Sequence, residues 1–363
     1  MIQAYPQIYM FKETEALLNY LDDFFGGHPD LTTAQTQYQL FLDWLVHLGV
    51  PTQPRKCSPP NHIAKILGFL YNTLTQTLSI PPKKVNEFII AIDALLSKPR
   101  HVSRRQIAAV TGKLNWCCQI IFGGRSMVRS LEYLIHLPIP WDRRTLRLNE
   151  TCVKDLIWWK KILVSKHNSL PFSYVIKPAS EADIHVWTDA AGSTKLGIGA
   201  FNSLGDYFSC KWSDVSLPDN WNLHDSLRPE LLALMVAAII WAPKFAHKAV
   251  TFHCDNLPIV SIIISRSPAR HRKDILYLIR ILTEIALFHH YYFWVTHIPG
   301  DLNIEADALS RLFANPLKRL LSHPNDSHIQ PFFDINPHYP FKFNWKETQV
   351  SDLLNQLCNE QFN

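Results

Sequence analysis

Four acidic residues, Asp189, Glu230, Asp255 and Asp307, fall within residues 184–311, each where a regular element begins or ends. Carboxylates gathered at one point repel one another unless cations neutralise them, so such a group binds hard divalent metals through oxygen. Two ions about 4 Å apart would activate a water and stabilise the leaving oxygen during in-line attack on a phosphodiester. A lone strand-end aspartate is ordinarily just solvated. Four acids at four element ends, in one consistent topology, point to a site.

Their convergence depends on the elements that carry them. Residues 184–189, 196–201 and 207–212 are short β-branched and aromatic runs joined by glycine-bearing turns, which predicts an antiparallel meander. RPELLALMVAAIIWA at 228–242 is too long for a strand and reads as a buried helix, with Asp225 or Ser226 as cap and Pro229 in its first turn. A strand at 249–255, an amphipathic helix at 273–288, a strand at 291–297 and a closing helix at 303–312 complete the order. If the first and fourth strands are parallel neighbours, Asp189 and Asp255 leave the sheet at the same edge. Glu230 then starts the helix packed over it.

TDAAGSTKLGIGAF, the glutamate of RPELLAL, HCDN and HIPGDLNIEADALSR resemble the successive motifs of a type 1 ribonuclease H domain of retrotransposon origin. The resemblance implies that Asp189, Glu230, Asp255 and Asp307 bind two Mg2+ ions, with Mn2+ as a substitute, and cut the RNA strand of an RNA–DNA hybrid. That family often carries a histidine in the loop before the last acid, where it assists product release. Here Asp301 follows IPG, and His297 precedes the loop, so the role stays unassigned.

Upstream, ALLNYLDDFFGG reads as a hairpin with an acidic tip at Asp22 and Asp23. The box Tyr20–Leu21–Asp22–Asp23 is similar to the YxDD box of reverse transcriptase palms. The helical stretch at 33–48 and the segment Ala64–Lys65–Ile66–Leu67–Gly68–Phe69 resemble the run through the end of the palm in that family. The resemblance makes Asp22 and Asp23 metal ligands of a polymerase site. Such a site also needs a carboxylate from a separate, earlier strand and fingers to hold template. Only 19 residues precede Tyr20, and Glu13 and Glu15 lie too close along the same segment, so no polymerisation is expected.

Helices are expected at 83–97, 103–118 (with Ser103 as cap), 125–135 and 146–164. Arg104, Arg105, Lys113 and Arg125 on these helices would track a nucleic-acid backbone as a polymerase thumb does. Arg270 and Arg272, within a basic cluster before the 273–288 helix, would grip hybrid phosphates. For all of these a solvated surface is the competing reading. Trp158 and Trp159, beside lysines, read as core rather than as a base-stacking pair. TGKLNWCCQIIFGGRSMVRSL resembles retrotransposons of the tyrosine-recombinase, DIRS-like group, so the likeness runs from about residue 17 to 312.

A length of 363 residues, 47% hydrophobic, gives room for two or three cored domains, and a net charge of +5 suits a polyanion partner without demanding one. Seven cysteines without metal-ligand spacing suit a reducing compartment. No signal peptide or membrane-length apolar run is evident, so an intracellular protein, cytoplasmic or nuclear and with no membrane partner, is expected. The fold class is α+β multidomain. It comprises a partial reverse transcriptase palm (1–82), a helical thumb, connection and linker (83–180), an RNase H-like domain with a mixed five-stranded sheet flanked by helices (181–312), and a tail (313–363) with a terminal helix at 349–361. The implied function is that of a retrotransposon reverse transcriptase–RNase H fragment acting on RNA–DNA hybrids. A catalytically silent nucleic-acid-binding relic is the alternative, and a transposase-like DNA nuclease a third.

Overall fold

Apolar residues flanking an acidic pair fold back into a hairpin. In the computed structural model, which describes residues 16–143, 146–192, 196–212, 215–216, 226–265, 272–311 and 343–344, β1 (Ala16–Tyr20) pairs antiparallel with β2 (Asp23–Gly27). Tyr20 faces Asp23, leaving Leu21 and Asp22 as a two-residue loop, and Leu21 takes a φ of +53°, which ordinarily favours glycine. α1 (Leu31–His47) starts where the Asp30 carboxylate accepts the Thr33 N–H at 2.7 Å. It sets Phe41 5.2 Å from Phe24. β3 (Ile63–Ile66), β4 (Phe69–Asn72) and β5 (Thr77–Ser79) form an antiparallel meander. Its first loop, Leu67–Gly68, has positive φ at both residues, as a type I′ turn requires. The chain divides after Pro82 into two compact units, of which these elements make the first.

The second unit begins with four helices: α2 (Pro82–Leu96), α3 (Arg104–Cys117), α4 (Arg129–Ile135) and α5 (Glu150–Val164). Ser103 caps α3 in a reciprocal box with Gln106, and Asn149 caps α5. Residues 169–181, read as the linker at the end of that region, include β6 (Ser169–Pro171) and α6 (Phe172–Ile176), followed by a 3-10 turn at Ala179–Glu181. Tyr174 in α6 stacks on Trp294 at 4.7 Å and donates to the Phe293 carbonyl.

The mixed sheet runs β12-β11-β7-β8-β9, from β7 (Ile184–Ala190), β8 (Gly197–Asn202), β9 (Tyr207–Lys211), β11 (Ala249–Cys254) and β12 (Tyr292–His297). A separate two-residue strand, β10 (Val215–Ser216), pairs in parallel with β13 (Phe343–Asn344). β7, β8 and β9 are the antiparallel meander read from the sequence, and β11 lies parallel to both β7 and β12. The α+β class expected from the sequence is the class observed. α7 (Leu227–Phe245) packs on one face, with Trp241 5.5 Å from Phe208 and Phe245 6.0 Å from Phe252. α10 (Ile304–Ser310) covers part of the opposite face at Gly199, where an added Cβ would sit 2.4 Å from the Ser310 nitrogen.

Residues 83–180 and 181–311 share this one unit and interlock. α9 (Lys273–Phe288) sends Arg280 to the buried Asp155 of α5 at 2.8 Å, and Trp158 donates to Glu284 of α9. Trp159 is fully buried, in the core as read. One helix was not expected. α8 (Leu257–Ser265) is rich in β-branched residues, but the Asn256 carboxamide accepts the Ile259 N–H and Pro258 suits the first turn. Ile259, Val260 and Ile263 then bury one helical face. The terminal helix at 349–361, Asp225, Glu13, Glu15 and Arg270 lie outside the described residues.

Candidate active site

Parallel pairing of β7 with β11 puts His253 opposite Trp187. Asp189 and Asp255 each lie two residues further on, so both emerge at the carboxyl end of the sheet. Between β9 and β11 the chain climbs through α7, whose C-terminus feeds β11. The α7 N-terminus, bearing Glu230, therefore returns to the end where Asp255 emerges. Asp189 and Glu230 are buried and Asp255 is partly exposed.

The electrostatics register this convergence. Burial, then the charges of Asp189 and Asp255, push the Glu230 carboxyl well above the usual carboxylate range, against a hydrogen bond from the Ala190 backbone and the charge of Arg311. Burial also raises Asp255, offset by a backbone hydrogen bond and by the charges of His297 and Arg311. Glu230 and Asp255, with the intervening buried Cys254, offer ligand atoms that all lie within 4.8 Å of one another.

Asp307 arrives on α10. The Asn303 side chain donates to the Thr188 carbonyl at 3.0 Å, and the Ser310 hydroxyl donates to the Asp189 carboxylate, so the helix is fastened to β7 on either side of Asp307. Arg311, one turn on, donates to Asp307 through Nε. Glu230 thus feels both Asp189 and Asp255, while Asp307 joins the group through α10 and an arginine that both Glu230 and Asp255 sense. Neither Arg311 nor Cys254 was singled out from the sequence. Arg311 was visible as the last residue of ADALSR, four past Asp307. His297 lies close enough to Asp255 for its charge to act there.

A hard divalent cation fits this donor set. Carboxylates are buried against like charge, and opposite charge reaches Glu230 and Asp255 from the half-exposed side chain of Arg311. Asp22 and Asp23, by contrast, are exposed at the β1–β2 tip. Among the described residues no further His, Cys, Asp or Glu joins them in a ligand cluster.

The basic residues divide by partner. Arg104 donates to the Ile135 and Ile139 carbonyls and lies 4.5 Å from the Trp141 ring centroid, so it ties α3 to the end of α4 and to the chain after it. Arg105 is exposed and pairs with Asp142 at 2.7 Å, Lys113 lies over Phe88, and Arg125 is exposed. Arg272 and Arg228 both bind Asp274, which with a backbone hydrogen bond brings that carboxyl down to about 2 despite burial.

No protein-family model matches the chain, and no curated protein matches it. Among solved structures it is similar to the foamy viral protease-reverse transcriptase in complex with double-stranded DNA, at 13% identity and a TM-score of 0.40, over 80% of this chain and 47% of that one. It is also similar to the foamy viral protease-reverse transcriptase in complex with RNA/DNA hybrid, at 13% identity and a TM-score of 0.38, over 77% of this chain and 35% of that one. Both are reverse transcriptases. The chain spans less than half the length of either. Among the described residues no helix is long and apolar enough to cross a membrane.

Proposed function

We propose that residues 184–311 are a metal-dependent ribonuclease of the RNase H type, cutting RNA within RNA–DNA hybrids, in a retroelement reverse transcriptase–RNase H chain of the DIRS-like group. The observation that carries this reading is the delivery of Asp189, Asp255 and Glu230 to one end of the sheet by the parallel β7–β11 pairing and the α7 crossover. Asp189, Glu230, Asp255 and Asp307 would hold two Mg2+ ions, which when bound supply activation of water and stabilisation of the leaving oxygen. Ser310 fixes the Asp189 carboxylate, and Asn303 anchors the helix that presents Asp307. Glu230 and Asp189 form a buried floor, with the more exposed Asp255 on the solvent side. Arg105, Lys113, Arg125, Arg270 and Arg272 would contact phosphates, and Asp22 and Asp23 would be metal ligands of a polymerase site.

One observation favours the silent-relic alternative: Arg311 already forms an ion pair with Asp307. The deciding experiment incubates the purified chain and Mg2+ with labelled RNA–DNA hybrid, double-stranded RNA and double-stranded DNA. Cutting of the hybrid alone supports the nuclease. Binding without cutting supports the relic, and cutting of DNA indicates a different nuclease class.

A further inference from the structure

Among the proposed ligands sits a side chain that the hydrolytic reading leaves unused. Cys254 ends β11, is fully buried, and points its thiol at Glu230, with Sγ 4.0 Å from Oε2. The Asn256 backbone N–H lies 3.4 Å from the same sulfur on its other side. Magnesium has little affinity for sulfur, whereas zinc and cadmium are drawn to thiolate and accept carboxylate beside it. Zinc–sulfur and zinc–oxygen bonds of about 2.3 and 2.0–2.2 Å demand ligand atoms closer than the present spacing, so Glu230 or the more exposed Asp255 must turn inward on binding.

We propose that Glu230, Cys254 and Asp255 form a binding site for a thiophilic divalent cation of the zinc and cadmium class, one that takes two carboxylates away from Mg2+. On binding, the Cys254 S–H bond breaks, its proton passes to solvent, and the thiolate and both carboxylates ligate the ion, with water completing the shell. Binding rests on this geometry alone. Blocking of hydrolysis rests in addition on the nuclease reading.

The test titrates Cd2+ into the purified, reduced full chain and monitors the ultraviolet sulfur-to-cadmium charge-transfer band. A band saturating at one equivalent is expected. Its apparent affinity should fall at least tenfold in Cys254→Ser and in Glu230→Gln, stay unchanged in Cys57→Ser, and weaken as Mg2+ is raised. Cys254→Ala, which keeps the site apolar, serves if the serine variant unfolds. No band in the parent chain, or the same band in both Cys254 variants, overturns the proposal. A Cys254-dependent band in a chain that cuts no hybrid leaves the site standing and removes only the nuclease.

Discussion

Asp189 and Asp255 leave neighbouring parallel strands at the same level, each two residues beyond the facing pair Trp187 and His253. Parallel strands require a crossover, and here α7 provides its main body. The helix that allows β11 to lie parallel to β7 also brings Glu230 to their common end. Topology and site are one feature.

Arg311 occupies the place of a counter-cation. Replacing it with glutamine removes the ion pair to Asp307 and the charge that lowers Glu230 and Asp255. Because the arginine is half exposed, the metal-free chain should lose only roughly 0.5–1 kcal/mol. The same change makes the site more negative, so Mg2+ should raise the melting temperature of Arg311→Gln more than that of the parent. Thermal melts with and without Mg2+ check this, and an equal or smaller rise contradicts it.

Gly199 lets α10 lie on the sheet. An alanine Cβ there would fall 2.4 Å from the Ser310 nitrogen and 2.5 Å from the Leu309 Cβ, so the helix must retreat. Gly199→Ala should destabilise by about 2 kcal/mol and loosen the Ser310 hold on Asp189. Denaturant unfolding measures the first effect, and the Mg2+-induced melting shift, expected to shrink, measures the second.

The Arg280–Asp155 pair pins α9 to α5 in a buried setting. Desolvation raises the Asp155 carboxyl more than Arg280 and Ser130 lower it. Removing the arginine strands a buried carboxylate, whereas Asp155→Asn relieves its desolvation and keeps hydrogen-bonding capacity. Arg280→Met should therefore cost roughly 3 kcal/mol and Asp155→Asn clearly less, read from chemical denaturation. The reverse order would contradict the assignment.

Glu284 gives a pH signature. Burial pushes its carboxyl up to about 7, against the Trp158 hydrogen bond and the charges of Lys161 and Arg280. The folded chain therefore holds this proton more tightly than the unfolded chain, where glutamate titrates near 4.3. The resulting stabilisation is complete below that unfolded pKa and is lost as pH rises through about 7. The stability of Glu284→Gln minus that of the parent should climb between pH 5 and 8, by on the order of 3 kcal/mol at most. A flat difference contradicts the raised pKa.

How much the sequence reveals depends on how far each signal reaches. Helix α9 spans the residues its apolar periodicity predicts, and Ser103 caps α3 as expected, because both signals are local. Strand ends were legible from turn residues, which is why the acids could be placed on one sheet edge. α8 was not legible, because its β-branched residues favour strands and only burial against the sheet settles the matter. The partners of Arg104, Arg272 and Arg311 lie in contacts that charge alone does not encode. The environment of Cys254 was hidden for the same reason, since a thiol beside an aspartate in sequence says nothing about a glutamate on another element.

The most direct test of a joint cation site is cleavage of a labelled RNA–DNA hybrid in Mg2+ by the parent chain and by Asp255→Asn. The account predicts hybrid-specific cutting that chelation abolishes and that the asparagine variant loses by at least a hundredfold while melting no lower than the parent, since one repelling charge has gone. Undiminished cutting by a folded Asp255→Asn chain would contradict it.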